Sequence, residues 1–215
     1  MSNLINRKSV IKVKKFLNKF DQNIELIVLD ETARTAKDAA NSLKTEVGSI
    51  VKSLLFKDSS YNYYLCLVSG DKYASLDKIS NLVGLTIKKA TAEECKEFTG
   101  FSIGGVSPIA HDNKSKSIFI DKNLSKYGKV FAAAGHPYVV FGVTYFELCN
   151  ITKGIECYAK NYMRMACSCI NFIKFSQISI YQYRFRFIFM GYWRYTSNAK
   201  SSKFFTFISI GFSSF

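Results

Sequence analysis

The stretch that decides the fold is Ile50-Val-Lys-Ser-Leu-Leu-Phe56, Asp58-Ser-Ser60, then Tyr61-Asn-Tyr-Tyr-Leu-Cys-Leu-Val68. Two short apolar runs rich in branched and aromatic residues, separated by turn formers, read as two strands of a hairpin. Side chains alternate along a strand, so Ile50, Lys52, Leu54 and Phe56 share one side and Val51, Ser53, Leu55 and Lys57 the other. Lys52 therefore projects from the more apolar face. A lysine is costly there unless it has a partner or a use. The alternative is a rim lysine whose ammonium reaches water along its own stem.

Working outward, helix and strand signals alternate. Val10-Ile-x-Val-x-x-Phe16-Leu-x-x-Phe20 has helical spacing, and Ile24–Leu29 reads as a strand. Thr35 caps a helix to about Leu43, with Asp38 at the capping-box position. Ser75 to Leu82 is a short helix closed by Gly84. Thr91-x-x-Glu94 opens a helix ending near Gly100, and Thr144-x-x-Glu147 opens a final one through Cys149. Ser117–Asp121, Lys129–Ala133 and Tyr138–Phe141 complete the strands. Strands outnumber the short interspersed helices, which predicts an α+β fold: a curved mixed sheet or open barrel with helices on its outside.

The 215 residues suffice for one well-packed domain with an appendage. A net charge of +14 calls for a polyanionic partner, nucleic acid or an acidic membrane surface, against the plainer reading of a solvated basic surface. The six cysteines lack metal-ligand spacing: Cys167-x-Cys169 has no histidine near it, and His111 and His136 lie far upstream. No metal and no cofactor are expected. The N-terminus shows no apolar signal region, and scattered thiols suit a reducing cytoplasm.

The chain changes character near Gly154. Residues 155–215 lack Leu, Val, Asp, Pro and His, and hold 17 of the 33 aromatics. Eight cations less the single acid, Glu156, give this tail +7. Three readings compete: a basic aromatic RNA-binding extension, a membrane-surface segment, or AT-rich DNA read out of frame, which the composition fits best. No run reaches the ~18 uncharged apolar residues a membrane span needs, so spanning is disfavoured. The expected organisation is thus a domain over 1–154 and an aromatic basic tail over 155–215.

Two further motifs could carry chemistry. In Gly100-Phe-Ser-Ile-Gly104-Gly105-Val106-Ser107-Pro108, adjacent glycines permit close backbone approach and Pro108 stiffens the exit. Such a loop can aim amides at a carbonyl oxygen or a phosphate, although Gly-Gly and Ser-Pro by themselves also mark an ordinary turn. In Ala134-Gly135-His136-Pro137, the histidine could donate a hydrogen bond, act as a base, or merely turn the chain. The sequence holds no Gly-x-Ser-x-Gly elbow, no P-loop and no Rossmann glycine pattern.

In this order and spacing the segments resemble the YbaK/prolyl-tRNA synthetase-associated editing domain family. The matching stretches are Thr35-Ala-Lys-Asp-Ala-Ala-x-x-Leu43, Glu46-Val-Gly-Ser-Ile-Val-Lys52-Ser-Leu-Leu-Phe56 and Leu67-Val-Ser-Gly-Asp71. Lys88-Lys-Ala-Thr-Ala-Glu-Glu94, Thr99-Gly-Phe-Ser-Ile-Gly-Gly-Val-Ser-Pro108 and Ala134-Gly-His-Pro-x-x-Val-Phe141 follow. The resemblance covers about residues 20–153 and leaves the tail out.

The resemblance implies a free-standing, cytoplasmic hydrolase that removes a wrongly attached small amino acid, such as alanine or cysteine, from tRNA(Pro). Its partners would be mischarged tRNA and prolyl-tRNA synthetase. A synthetase pocket discriminates poorly against small side chains, so a second site must hydrolyse the errors. By the same resemblance Lys52 positions the aminoacyl-adenosine end. Gly104 and Gly105, with Val106, Ser107 and Pro108, supply backbone contacts around the scissile ester, worth about 3 kcal/mol per oxyanion donor in comparable sites. Phe56, on the Lys52 side of its strand, and Gly135 and His136 are the remaining substrate-binding candidates; His136 falls in a loop that varies within the family. Water, or a hydroxyl or thiol of the substrate, would attack the ester carbonyl. The competing expectations are a noncatalytic tRNA- or protein-binding module of the same fold, and a membrane-surface protein governed by its tail.

Overall fold

The computed structural model describes residues 3–30 and 35–157. The readings made for the tail from residue 158 onward fall outside them. Among the described residues there are five α-helices, α1 (Lys8–Phe20), α2 (Ala36–Leu43), α3 (Leu76–Val83), α4 (Ala92–Thr99) and α5 (Tyr145–Thr152). Eight strands of the described residues form one sheet: β1 (Leu26–Val28), β2 (Ile50–Asp58), β3 (Tyr63–Ser69), β4 (Ile87–Lys89), β5 (Ser117–Asp121), β6 (Val130–His136), β7 (Val139–Val143) and β8 (Ile155–Cys157). The order is β1-β7-β6-β2-β3-β5-β8, with β4 attached to β2 off this path. β2 pairs parallel with β6 and antiparallel with β3 and β4, so the sheet is mixed, and it does not close into a barrel.

Local chemistry explains the helix ends. Thr35, Thr91 and Thr144 each accept a hydrogen bond from the amide three residues on, while Asp38, Glu94 and Glu147 reach back to the cap amides. Gly84 and Gly100 close α3 and α4 in the left-handed conformation that glycine adopts without penalty. α1 buries Val10, Val13 and Leu17 along one stripe against β6.

Both faces of the central hairpin are covered. Val51, Leu55, Leu65 and Leu67 join the main core, which α1, α4, α5 and Phe101 complete. Phe56, Tyr64, Cys66 and Val68 enter a second cluster under Ile79 of α3. This is why β3 reads as an unbroken apolar run instead of an alternating one. Strand β8 lies just past the compositional break at Gly154 and pairs parallel with β5.

The hairpin turn is organised by the buried Asp58. Its carboxylate accepts from the amides of Ser60 and Asn62, from the Asn62 side chain (2.8 Å) and from the Tyr64 hydroxyl (3.1 Å). Burial works to raise its pKa, but these donors outweigh burial and hold it below the ordinary carboxylate value. Asp58→Ala is expected to cost about 2–3 kcal/mol at pH 7, because it orphans several donors at once. With the folded pKa depressed, that stability exists above the unfolded pKa and is lost as pH falls through the folded value. Denaturant melts should therefore show the wild-type advantage shrinking below about pH 4.

Candidate active site

β2 is paired with β3 from Val51 to Lys57, but its other edge is shared by two strands that leave a gap between them. β6 meets it at Ile50–Val51 and β4 at Phe56–Asp58. A cleft of about 470 Å3 opens at this split, a volume suited to a small ligand. Its walls come from α2 and its cap (Thr35, Ala36, Lys37), β4 and the residue after it (Lys89, Ala90), β6 (Phe131, Ala133) and Ile103, Gly104 and Val106 of the glycine loop.

The backbone of the split is itself a binding surface. The Leu55 carbonyl points across the gap to accept from the Ala90 amide (3.0 Å). Backbone groups two residues apart on a strand face the same edge, so the N–H and C=O of Ser53 also face the gap. The Ser53 hydroxyl is buried, lines the cleft and has no hydrogen-bond partner among the described residues. Sequence reading passed over this serine, because an isolated serine in a strand gives no local signal.

Lys52 lines the same cleft. Its ammonium donates to the Gly70 carbonyl (3.0 Å) and to the Lys72 carbonyl, and lies 5.0 Å from the centre of the exposed Tyr73 ring. Two of its three protons thus hold the turn after β3, leaving one for a ligand. Burial pulls its pKa below the usual lysine value, partly offset by the carboxylates of Asp71 and Asp121.

In the glycine loop, the amide of Gly105 donates to the Ser102 carbonyl (3.0 Å), closing a turn in which Gly104 has φ +90°. Only glycine adopts that conformation readily. The Gly105 amide is therefore engaged, and its residue serves another end: a Cβ there would meet the His136 Cα at 2.8 Å. The amides of Gly104 and Val106, by contrast, bond no protein group among the described residues, and both residues line the cleft. Ser107 is fully buried, and its carbonyl accepts from the His111 Nε2–H (2.6 Å). Burial lowers the His111 pKa, which keeps that ring a neutral donor bracing the loop near neutrality. Pro108 continues the buried segment and does not line the cleft.

The remaining candidates sit further back. Phe56 is buried in the cluster beneath α3 instead of facing the cleft. Gly135, at φ +85°, lets β6 approach α1, since a Cβ would lie 2.7 Å from the Ser9 carbonyl. The Nδ1 of His136 accepts from the Tyr138 amide (3.2 Å), and its ring stacks on Tyr138. Burial first, and then the charge of Arg7, lower its pKa. His136 meets the site through its backbone, on which Gly105 rests, while the next residue, Pro137, lines the cleft.

Among the described residues the charged lining is Lys37, Lys52 and Lys89, with no carboxylate. Cys95 also lines the cleft, but burial raises its pKa and keeps it a thiol, which is a poor nucleophile. Neither histidine lines the cleft, so Ser53 has no base at hand. The arrangement can attract an anion, hold a carbonyl oxygen on loop amides and admit water.

Residues 30–151 match the aminoacyl-tRNA editing domain family. A crystal structure described as a candidate trans-editing enzyme for prolyl-tRNA synthetase is 37% identical, with a TM-score of 0.67 over 71% of this chain and 96% of that one. The YwhH protein of Bacillus subtilis is 26% identical over 59% of this chain and 80% of its own length. The proline–tRNA ligase of Thermosipho melanesiensis is 31% identical over 54% of this chain, a match that spans 20% of the ligase.

Proposed function

The chain belongs to the aminoacyl-tRNA editing domain family, and from that premise we propose that it is a trans-editing deacylase. Its substrate would be tRNA(Pro) carrying alanine, cysteine or a similar small residue, met in the cytoplasm, where charging errors arise. The observation that carries this reading is the cleft at the split of the sheet. Among the described residues three lysines and no acid line it, and the amides of Gly104 and Val106 bond no protein group.

Each part has a chemical task. The lysines attract the polyanionic 3′ end of a tRNA. The free amides stabilise the negative oxygen that forms when water, or a hydroxyl or thiol of the substrate, adds to the ester carbonyl carbon. Collapse of that intermediate breaks the bond to the ribose oxygen, which leaves with a proton. No side chain among the described cleft residues is equipped as a nucleophile, which favours direct attack on the ester over a covalent enzyme intermediate. Prolyl-tRNA synthetase is the second expected partner, since a related segment forms part of the Thermosipho ligase chain.

The test is release of labelled alanine from Ala-tRNA(Pro) by the full chain, with and without a stable amide-linked analogue of alanyl-adenosine. Release above the buffer rate, inhibited competitively by the analogue, is expected. Tight tRNA binding without release would instead identify a noncatalytic binding module, and release indifferent to the analogue would remove the chemistry from this cleft.

A further inference from the structure

α1 carries a charge pattern that the cleft does not explain. From Arg7 to Phe20 there are six cations and no acid. Four of them, Lys8, Lys12, Lys15 and Lys19, recur at intervals of four, three and four residues, which aligns them along one helix face. That face is opposite the one formed by Val10, Val13 and Leu17. Like charges at such spacing repel one another, so the stripe weakens its own helix unless something anionic lies along it. Lys12 is matched by Asp112 and sits 5.3 Å from the Phe101 ring centre. Lys8, Lys15 and Lys19 are exposed and have no acidic partner among the described residues.

The helix begins beside the active-site rim. The Ser9 carbonyl abuts Gly135, and the neighbouring His136 and Pro137 are the residues against which Gly105 and Gly104 rest. The stripe then runs on the order of 16 Å from Lys8 to Lys19, at ~1.5 Å per residue.

We infer that the Lys8–Lys15–Lys19 face of α1 is a docking surface for the phosphate backbone of the tRNA acceptor arm whose 3′ end enters the cleft. The inference rests on the deacylase reading for the identity of the RNA. An acidic bilayer is the other polyanion to consider, but the Val10, Val13 and Leu17 stripe that an interfacial helix would insert is here buried against β6, and of the helix's large apolar side chains Phe16 and Phe20 alone are exposed. The lysine face presents closely spaced positive charge, which suits phosphates.

The experiment measures binding of uncharged tRNA(Pro) transcript to the full chain as a function of salt, independently of turnover. Lys8→Gln/Lys15→Gln/Lys19→Gln keeps good helix formers and removes three charges. Lys14→Gln/Lys116→Gln/Lys126→Gln removes the same charge off the stripe. The stripe variant should bind at least about tenfold more weakly at low salt, and its log–log salt slope should be shallower by about two to three. Release of alanine from alanyl-adenosine, which has no acceptor arm, should not change. Unaltered tRNA binding by the stripe variant, or an equal loss in the off-stripe variant, would overturn the inference. So would a loss confined to binding of phosphatidylserine vesicles. A wild-type chain that binds tRNA through the stripe yet never deacylates it would refute the deacylase and leave the surface standing.

Discussion

Gly105→Ala is expected to reduce deacylation by at least about 100-fold while leaving a folded protein. The added Cβ would lie 2.8 Å from the His136 Cα, 2.9 Å from its nitrogen and 3.0 Å from its carbonyl carbon. All three are backbone atoms at the end of β6, so no side chain can swing away and the loop itself must shift. That loop carries at the cleft wall the amides of Gly104 and Val106, which bond no protein group among the described residues, and its turn depends on the Gly105 amide reaching the Ser102 carbonyl. A displacement of about 1 Å between donors and a reacting carbonyl is enough for a loss of this order. The fold should pay less, about 1–3 kcal/mol for overpacking, visible as a melting midpoint lowered by several degrees. Gly128→Ala is the matched control, because nothing lies within 4 Å of the new methyl group. Its kcat/KM should equal that of the wild type. A Gly105→Ala protein with normal kcat/KM would detach the loop from the chemistry.

Lys52→Ala should be comparably damaging, by a different route. The ammonium organises the turn after β3 through the Gly70 and Lys72 carbonyls and gives the cleft its innermost positive charge. Alanine removes both, and a loss of about 100-fold or more in kcat/KM is expected with the circular dichroism spectrum unchanged. The pH profile separates charge from scaffolding. Burial lowers the Lys52 pKa, so the charged form is complete below the folded value and disappears as pH rises through it. Corrected for spontaneous ester hydrolysis, wild-type activity should therefore fall on an alkaline limb below the ordinary lysine value of 10.5. The residual activity of Lys52→Ala should lack that limb. An alkaline limb that persists in the variant would assign it to another group.

What the sequence revealed, and what it hid, follows from the range of the interactions. The capping boxes at Thr35, Thr91 and Thr144 were legible because cap and partner stand three residues apart. The β2–β3 hairpin was legible because Asp58 and the amides that donate to it lie within one turn. β4 was not: it has three residues, two of them exposed lysines, and it exists because the Lys88 and Ile87 backbones find the far end of β2. The split between β6 and β4, which creates the cleft, is a property of three strands distant in sequence, and no local pattern encodes it.

The site shows the same division. Lys52 and the glycine loop could be singled out by residue type, but their division of labour could not. The Gly105 amide is consumed by its own turn, so the donors pass to Gly104 and Val106. Phe56 shares a side of β2 with Lys52, yet α3 covers it; alternation assigns a face without saying what packs there. His111 and Ser53 gained their places only through the fold. One reaches back to Ser107, and the other stands where a strand edge goes unpaired.

The most direct test is a deacylation panel in which the full chain meets tRNA(Pro) charged in turn with alanine, serine, cysteine and proline. The small mischarged residues should be released at least about tenfold faster than in buffer, with prolyl-tRNA(Pro) spared, because the role of an editing site is to remove errors and leave the correct product. Release at the buffer rate from every member of the panel would contradict the assignment of this cleft as a deacylase site.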